Sequence, residues 1–140
     1  MKKGTTFVIF LILLSAYACR TGDRDESGIF VENADYIQIV LFHLTQRCES
    51  CNAVEQETKR LLEKEYGEEV LSGKVNFVSL DYQSESGKKA AGLLQASGQT
   101  LFVIKGDSLS NLTSAAFMYA STHPGIYLEA LRKELDQYLE

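Results

Sequence analysis

The chain has 140 residues, 45% of them apolar and 24% charged, with three cysteines, one proline and no tryptophan. That length suits one domain, and the composition supports a core and excludes a disordered tail. A formal charge of −5 lacks the basic face that would neutralise phosphates, which argues against a nucleic-acid partner, and no apolar run is long enough for a mature membrane span.

Lys2 and Lys3 form a positive n-region, residues 7–14 (FVIFLILL) an apolar h-region, and Ser15-Ala16-Tyr17-Ala18 a small-residue cleavage region before Cys19. The pattern predicts a secretory signal over residues 1–18 and an exported protein of the cell envelope or periplasm. The competing reading is a buried helix. Ala16-Tyr17-Ala18 fits an ordinary signal peptidase, while Cys19 resembles a bacterial lipobox cysteine, with Ala16 where leucine is usual. The odd cysteine favours lipidation at Cys19, because Cys48 and Cys51 then remain as one pair in an oxidising compartment. Attachment to the membrane would be by that lipid only. Residues 20–28 (RTGDRDESG) are polar and aperiodic, so 19–28 is expected to be a lipidated cysteine and flexible tether, and 29–140 the folded domain.

Residues 36–42 (YIQIVLF) are almost continuously apolar and β-branched or aromatic, as in a strand buried on both faces. Cys48-Glu49-Ser50-Cys51 follows. A helical band of Val54, Leu61, Leu62 and Tyr66 comes next, with Gly67 as its expected stop. Residues 75–80 (VNFVSL) predict a second strand, ending at Asp81. Ser84 or Ser86 is the expected cap of a helix through Ala90, Ala91, Leu93 and Leu94 that ends near Gly98. Residues 100–105 (TLFVIK) predict a third strand, and the Gly106-Asp107 turn a short antiparallel strand through Leu112. A short helical piece over 114–120 precedes a last helix with Pro124 in its first turn and Thr122 or Ser121 as cap. Leu128, Leu131, Leu135, Tyr138 and Leu139 form its apolar face. Strands alternating with helices predict an α/β fold with parallel pairs and no second domain.

The chemistry lies in Cys48 and Cys51. At i, i+3 on a helix start both sulfurs share one face and can close a small disulfide ring, and free amides there favour a thiolate. Cys48 is expected to be the exposed nucleophile and Cys51 the more buried resolving thiol. Arg47 would favour the Cys48 thiolate and Glu49 oppose it. Two other readings stay open. Structural zinc would need His43, His123 or Asp81 to complete four ligands. A purely structural disulfide would close only a tiny loop.

The order strand, Cys-x-x-Cys helix, strand, helix, hairpin, helix resembles the thioredoxin fold: α/β, with a mixed central sheet of about four strands flanked by helices. Two departures stand out. Where thioredoxins place a cis-proline before the third strand, this chain has Gln99. Where they keep a buried acid six residues before the first cysteine, it has Phe42. Both bear on proton handling and docking, and an open edge near the dithiol would admit a metal or metalloid.

A closer resemblance is carried by Phe42-His43-x-x-x-Arg47-Cys48-x-x-Cys51-x-Ala53-x-Glu55, by Ser97-Gly98-Gln99-Thr100-Leu101, and by Asn111-Leu112-Thr113-x-x-Ala116-Phe117-x-Tyr119-Ala120. These strings are similar to the nitrophenyl compound nitroreductase subunit ArsF family, small thioredoxin-like proteins associated with arsenic-resistance operons. The resemblance implies a role with a partner subunit in reducing aromatic nitroarsenicals to amines, beside an efflux permease. Residue by residue it implies only Cys48 and Cys51 as redox or metalloid-contacting thiols. No G-x-G-x-x-G or flavin fingerprint occurs, so no cofactor is expected beyond a redox-active disulfide. One dithiol delivers one two-electron event and nitro-to-amine reduction takes several. The chain therefore reads as an electron-transfer or substrate-handling subunit, recharged by a partner reductase subunit or a membrane electron donor, with a small aromatic substrate. A general thiol–disulfide oxidoreductase and a non-catalytic dithiol module for trivalent arsenic or a soft metal are the alternatives.

The remaining polar motifs read more simply. His43 suits hydrogen-bonded packing more than proton transfer, and His123 a capping or surface role. Asp81-Tyr82 reads as turn chemistry and Phe117 and Tyr119 as packing. The Asn111-Leu112-Thr113 sequon is improbable as a glycosylation site beside a bacterial-looking signal.

Overall fold

The structure, a computed structural model, describes residues 35–140. The expected signal sequence, Cys19, the 19–28 tether and the first residues of the expected 29–140 domain lie outside the described residues.

The elements run β1 (Ile37–His43), α1 (Glu49–Glu65), α2 (Gly67–Leu71), β2 (Val75–Asp81), α3 (Glu85–Leu94), β3 (Thr100–Lys105), β4 (Ser108–Asn111), α4 (Thr113–Tyr119) and α5 (Pro124–Leu139). They build a four-stranded sheet in the order β2-β1-β3-β4. β1 and β2 are parallel, with Ile37 opposite Val75 and His43 opposite Asp81. Parallel strands need a long crossover, which α1 and α2 supply. β3 returns antiparallel to β1, and β4 closes a hairpin on it. This is the α/β, thioredoxin-like arrangement expected from the order of elements.

The continuous apolar character of β1 has its cause in two packed faces. Ile37, Ile39 and Leu41, with Leu101 and Val103 of β3, meet Val54, Leu61 and Leu62 of α1 and Tyr127, Leu128, Leu131 and Leu135 of α5. Val40 and Phe42, with Phe102 and Ile104, meet Ala90, Ala91 and Leu94 of α3. Side chains alternate across a strand, so consecutive residues serve opposite layers. Ala116 and Ala120, both buried, let α4 lie close against the larger layer.

Three sequence expectations about helix ends change. Gly67 does not stop α1: the break falls at Tyr66 (φ −125, ψ 27), and Gly67 opens α2. Tyr66 is committed there by its own contacts, its hydroxyl donating to Asp136 Oδ1 at 2.7 Å. α3 ends at Leu94, with Gln95 in the left-handed region at φ 53, so the turn comes earlier than Gly98. α5 begins at Pro124 as expected, but His123 occupies its N-cap, with no side-chain capping bond. Thr122 Oγ1 instead donates back to the Met118 carbonyl at 3.2 Å.

α3 starts as expected. Ser84 Oγ accepts from the Gly87 amide at 3.0 Å, satisfying one otherwise unpaired donor of the first turn. Gly87 is required sterically: a Cβ there would lie 1.8 Å from the Asp81 carbonyl oxygen. Among the described residues no helix is long and apolar enough to cross a membrane.

Candidate dithiol site

β1 delivers the chain to residues 44–47, which turn it into α1. Cys48 sits at the N-cap in extended conformation (φ −87, ψ 167), and its carbonyl accepts from the Asn52 amide at 3.2 Å. Cys51 lies one turn inside. The two are free thiols, Cys48 exposed and Cys51 fully buried. Their sulfurs are 3.2 Å apart. The spacing read from the sequence thus becomes one exposed and one buried sulfur in contact.

The surroundings push the two thiols in opposite directions. The Cys51 backbone amide holds the Cys48 thiol below its ordinary range, with the Cys51 side chain and then Gln99 assisting, against a burial effect that raises it. Burial pushes the Cys51 thiol up, and the neighbouring Cys48 adds to that. The exposed sulfur is therefore the one that ionises first, as a nucleophile–resolver division requires.

Arg47 does not act as expected. Its Nη2 pairs with Glu55 Oε2 and not with the thiol. Glu55 also accepts from Lys59 Nζ at 2.5 Å and from Ser79 Oγ of β2 at 3.0 Å. Burial raises the Glu55 carboxyl, but Lys59, Arg47 and Ser79 outweigh it and lower it to about 2. The charge next to Cys48 in sequence is thus neutralised by a carboxylate two turns along α1.

Sequence reasoning placed Gln99 near the dithiol but gave it no role. Gly98, at φ +118, turns the chain from α3 into β3 in a backbone region that suits glycine. The next residue projects its carboxamide onto the sulfurs, with Nε2 2.8 Å from Cys51 Sγ and 3.6 Å from Cys48 Sγ. The open edge expected beside the dithiol is occupied by this side chain. Among the described residues no peptide bond is cis. A glutamine before a strand carries no sequence signal of such a contact, because partners 48 and 51 residues away are set only by the fold.

The other candidates fall elsewhere. His43 faces Asp81 across the β1–β2 pair, and its Nδ1 is 2.9 Å from the Leu44 carbonyl. Asp81 accepts from Thr45 Oγ1 at 2.6 Å and from the Gln83 amide at 2.8 Å, which lower its carboxyl below the usual range. His123 is exposed and stacks edge-on to Tyr119. Neither histidine nor Asp81 completes a metal shell with the thiols: among the described residues no three His, Cys, Asp or Glu side chains gather to hold an ion. Phe117 and Tyr119 pack against the larger core. Asn111 Oδ1 accepts from the Thr113 amide at 3.0 Å, and Thr113 Oγ1 accepts from the Leu101 amide at 3.1 Å, so the sequon residues form the joint between β4, β3 and α4.

No family model matches the chain, and no curated protein matches it. Among solved structures it is similar to thioredoxin O2 from Arabidopsis thaliana in the oxidised state, at 18% identity and a TM-score of 0.44, over 57% of this chain and 64% of that one. It is also similar to a malarial protein at 12% identity and a TM-score of 0.45, over 68% of this chain and 96% of that one. The chain spans less than two thirds of the length of that thioredoxin. The fold is defined by strand order, the sense of each pairing and the dithiol at the head of α1.

Proposed function

We propose that this protein works by thiol–disulfide exchange through Cys48 and Cys51. The observation that carries the reading is the 3.2 Å contact between an exposed thiol whose acidity is raised and a buried one whose acidity is lowered. The Cys48 thiolate attacks a substrate disulfide, one substrate sulfur leaves with the electron pair, and Cys51 then resolves the mixed disulfide. The cycle oxidises the dithiol by two electrons and reduces the substrate disulfide by two.

Within that chemistry we place the chain as an exported subunit, anchored through a lipidated Cys19, that serves reduction of aromatic nitroarsenicals together with a partner reductase subunit. Similarity of the Cys48, Gln99 and Asn111 strings to the ArsF family supports this, as does the electron count. One dithiol must be recharged several times per nitro group, by the partner or by a membrane donor.

Cells expressing the chain with its operon neighbour should convert a nitrophenylarsonic acid to the amine, and either chain alone should not. Cys48→Ser should abolish conversion in a protein that still folds. A Cys48→Ser, Cys51→Ser double variant with full conversion would remove the dithiol from the mechanism. Turnover of a model disulfide without any partner would favour a general oxidoreductase, and stoichiometric binding of a trivalent arsenical without turnover a binding module. Release of the Cys19→Ser variant from membranes tests the anchor, and an unaltered mature protein that is soluble with an unmodified Cys19 would overturn it.

A further inference from the structure

Exchange of this kind places negative charge on the buried sulfur at two moments. In the forward step the Cys51 thiol gives its proton to water and attacks Cys48 Sγ as a thiolate. The Cys48–substrate S–S bond then breaks, the substrate sulfur leaves with the electron pair and takes a proton from water, and the Cys48–Cys51 bond forms. In the reverse step an incoming thiolate attacks Cys48 Sγ, and Cys51 leaves as the thiolate. Yet Cys51 is fully buried, and burial disfavours its charged form. An unsupported charge there would be costly.

The surrounding side chains narrow the choice of support. The strand position where a thioredoxin-like protein would hold a buried acid carries Phe42, which faces the opposite layer with Phe102 and Tyr82. Arg47 and Lys59 are both committed to Glu55, and Glu55 stays ionised and acceptor-only down to about 2. The Gln99 carboxamide is the neutral side-chain donor that reaches Cys51 Sγ, at 2.8 Å, while remaining 3.6 Å from Cys48 Sγ. A carboxamide has two N–H donors in one plane, so one group can serve both sulfurs as charge passes between them. The Gly98 turn and the β3 pairing of Thr100 with Phe42 fix the backbone on either side of it.

We infer that Gln99 is a catalytic hydrogen-bond donor to the reacting sulfurs, stabilising the Cys51 thiolate during resolution and during its departure. The inference rests on the exchange reading proposed above, but part of its test does not. Amide donation to a thiolate acts on the charged form at equilibrium, whether or not the chain turns over.

The first measurement is the thiolate absorbance of Cys51 against pH in the Cys48→Ser protein. Adding Gln99→Met, which keeps length and removes the donor, should move the Cys51 titration to higher pH. Gln99→Glu, which sets a carboxylate beside the sulfur, should move it further. The second is the rate at which the Cys48 mixed disulfide with a small aromatic thiol resolves in the otherwise unaltered chain. Gln99→Met should slow this about tenfold, the effect of losing one hydrogen bond to a charged group. Circular dichroism of each variant confirms the fold. An unchanged Cys51 titration in Gln99→Met overturns the inference, even if exchange proceeds. Failure of the unaltered chain to exchange with any disulfide, with the titration shifted as expected, would overturn the exchange reading and leave Gln99 as a thiolate donor only.

Discussion

Arg47 immediately precedes the exposed thiol, yet its guanidinium is held by Glu55, eight residues further along the chain. The pairing separates the acidity of Cys48 from its nearest cation in sequence. The helix start, through the Cys51 amide, supplies the stabilisation. Arg47→Gln should therefore change the rate of Cys48 alkylation at neutral pH by less than about twofold, because a neutralised cation has little field left to lose. A tenfold fall would show that Arg47 acts directly on the thiolate.

Glu55 should impose an acid limb on stability. Its folded-state carboxyl is lowered to about 2 from an ordinary 4.5. A depressed folded value stabilises the native state above the unfolded value, and that contribution is lost as pH falls from about 4.5 towards 2. Since the group is only partly buried, solvent screening reduces the effect to on the order of 1–2 kcal/mol. Urea midpoints of Glu55→Gln should fall below those of the unaltered protein at pH 6, and the gap should narrow at pH 3. A gap independent of pH would assign the loss to packing.

The two thiols should be chemically distinguishable. Iodoacetamide at mildly acidic pH should label Cys48 well before Cys51 in the reduced protein, since only Cys48 is both exposed and shifted towards the thiolate. Cys51→Ser should accumulate a mixed disulfide at Cys48 when offered a disulfide substrate. Peptide mapping reads both, and equal or reversed labelling would undo the assignment of roles.

The head of α3 offers a graded pair of variants. Ser84→Ala removes a capping acceptor and should cost about 1 kcal/mol. Gly87→Ala drives a Cβ into the Asp81 carbonyl. Backbone must shift to admit it, so the loss should exceed that of the cap and reach several kcal/mol. Chemical denaturation checks the order, and a milder Gly87→Ala would mean that the β2–α3 turn yields easily.

How much of this was legible beforehand depended on distance in the chain. The buried strand β1, the parallel α/β order, the placement of Cys48 and Cys51, the Ser84 cap and Pro124 at the start of α5 all follow from patterns within a few residues. The direction of Arg47 did not, because proximity in sequence favoured Cys48 whereas α1 offered Glu55 and Ser79 of β2 offered a further anchor. Gly67 misled for a different reason. A Cβ there would meet nothing within 4 Å, so the glycine marks no steric need, and Tyr66 makes the break. Gln99 was invisible as a donor, since nothing local distinguishes it from any polar residue ahead of a strand.

The unequal thickness of the two layers has a dynamic consequence. One face of the sheet is sealed by α1, α4 and α5 with large side chains. The other rests on α3 through Ala90, Ala91 and Leu94. Cooperative opening begins where least apolar surface holds an element down. Amide exchange should therefore report α3 breathing away from the sheet while α1 stays shut, giving Val40 and Phe42 intermittent access to water without uncovering the buried sulfur. The strands screen the sulfur itself from that motion, while the short turn after α3, which carries Gln99 to Cys51 Sγ, links the two sides of the sheet.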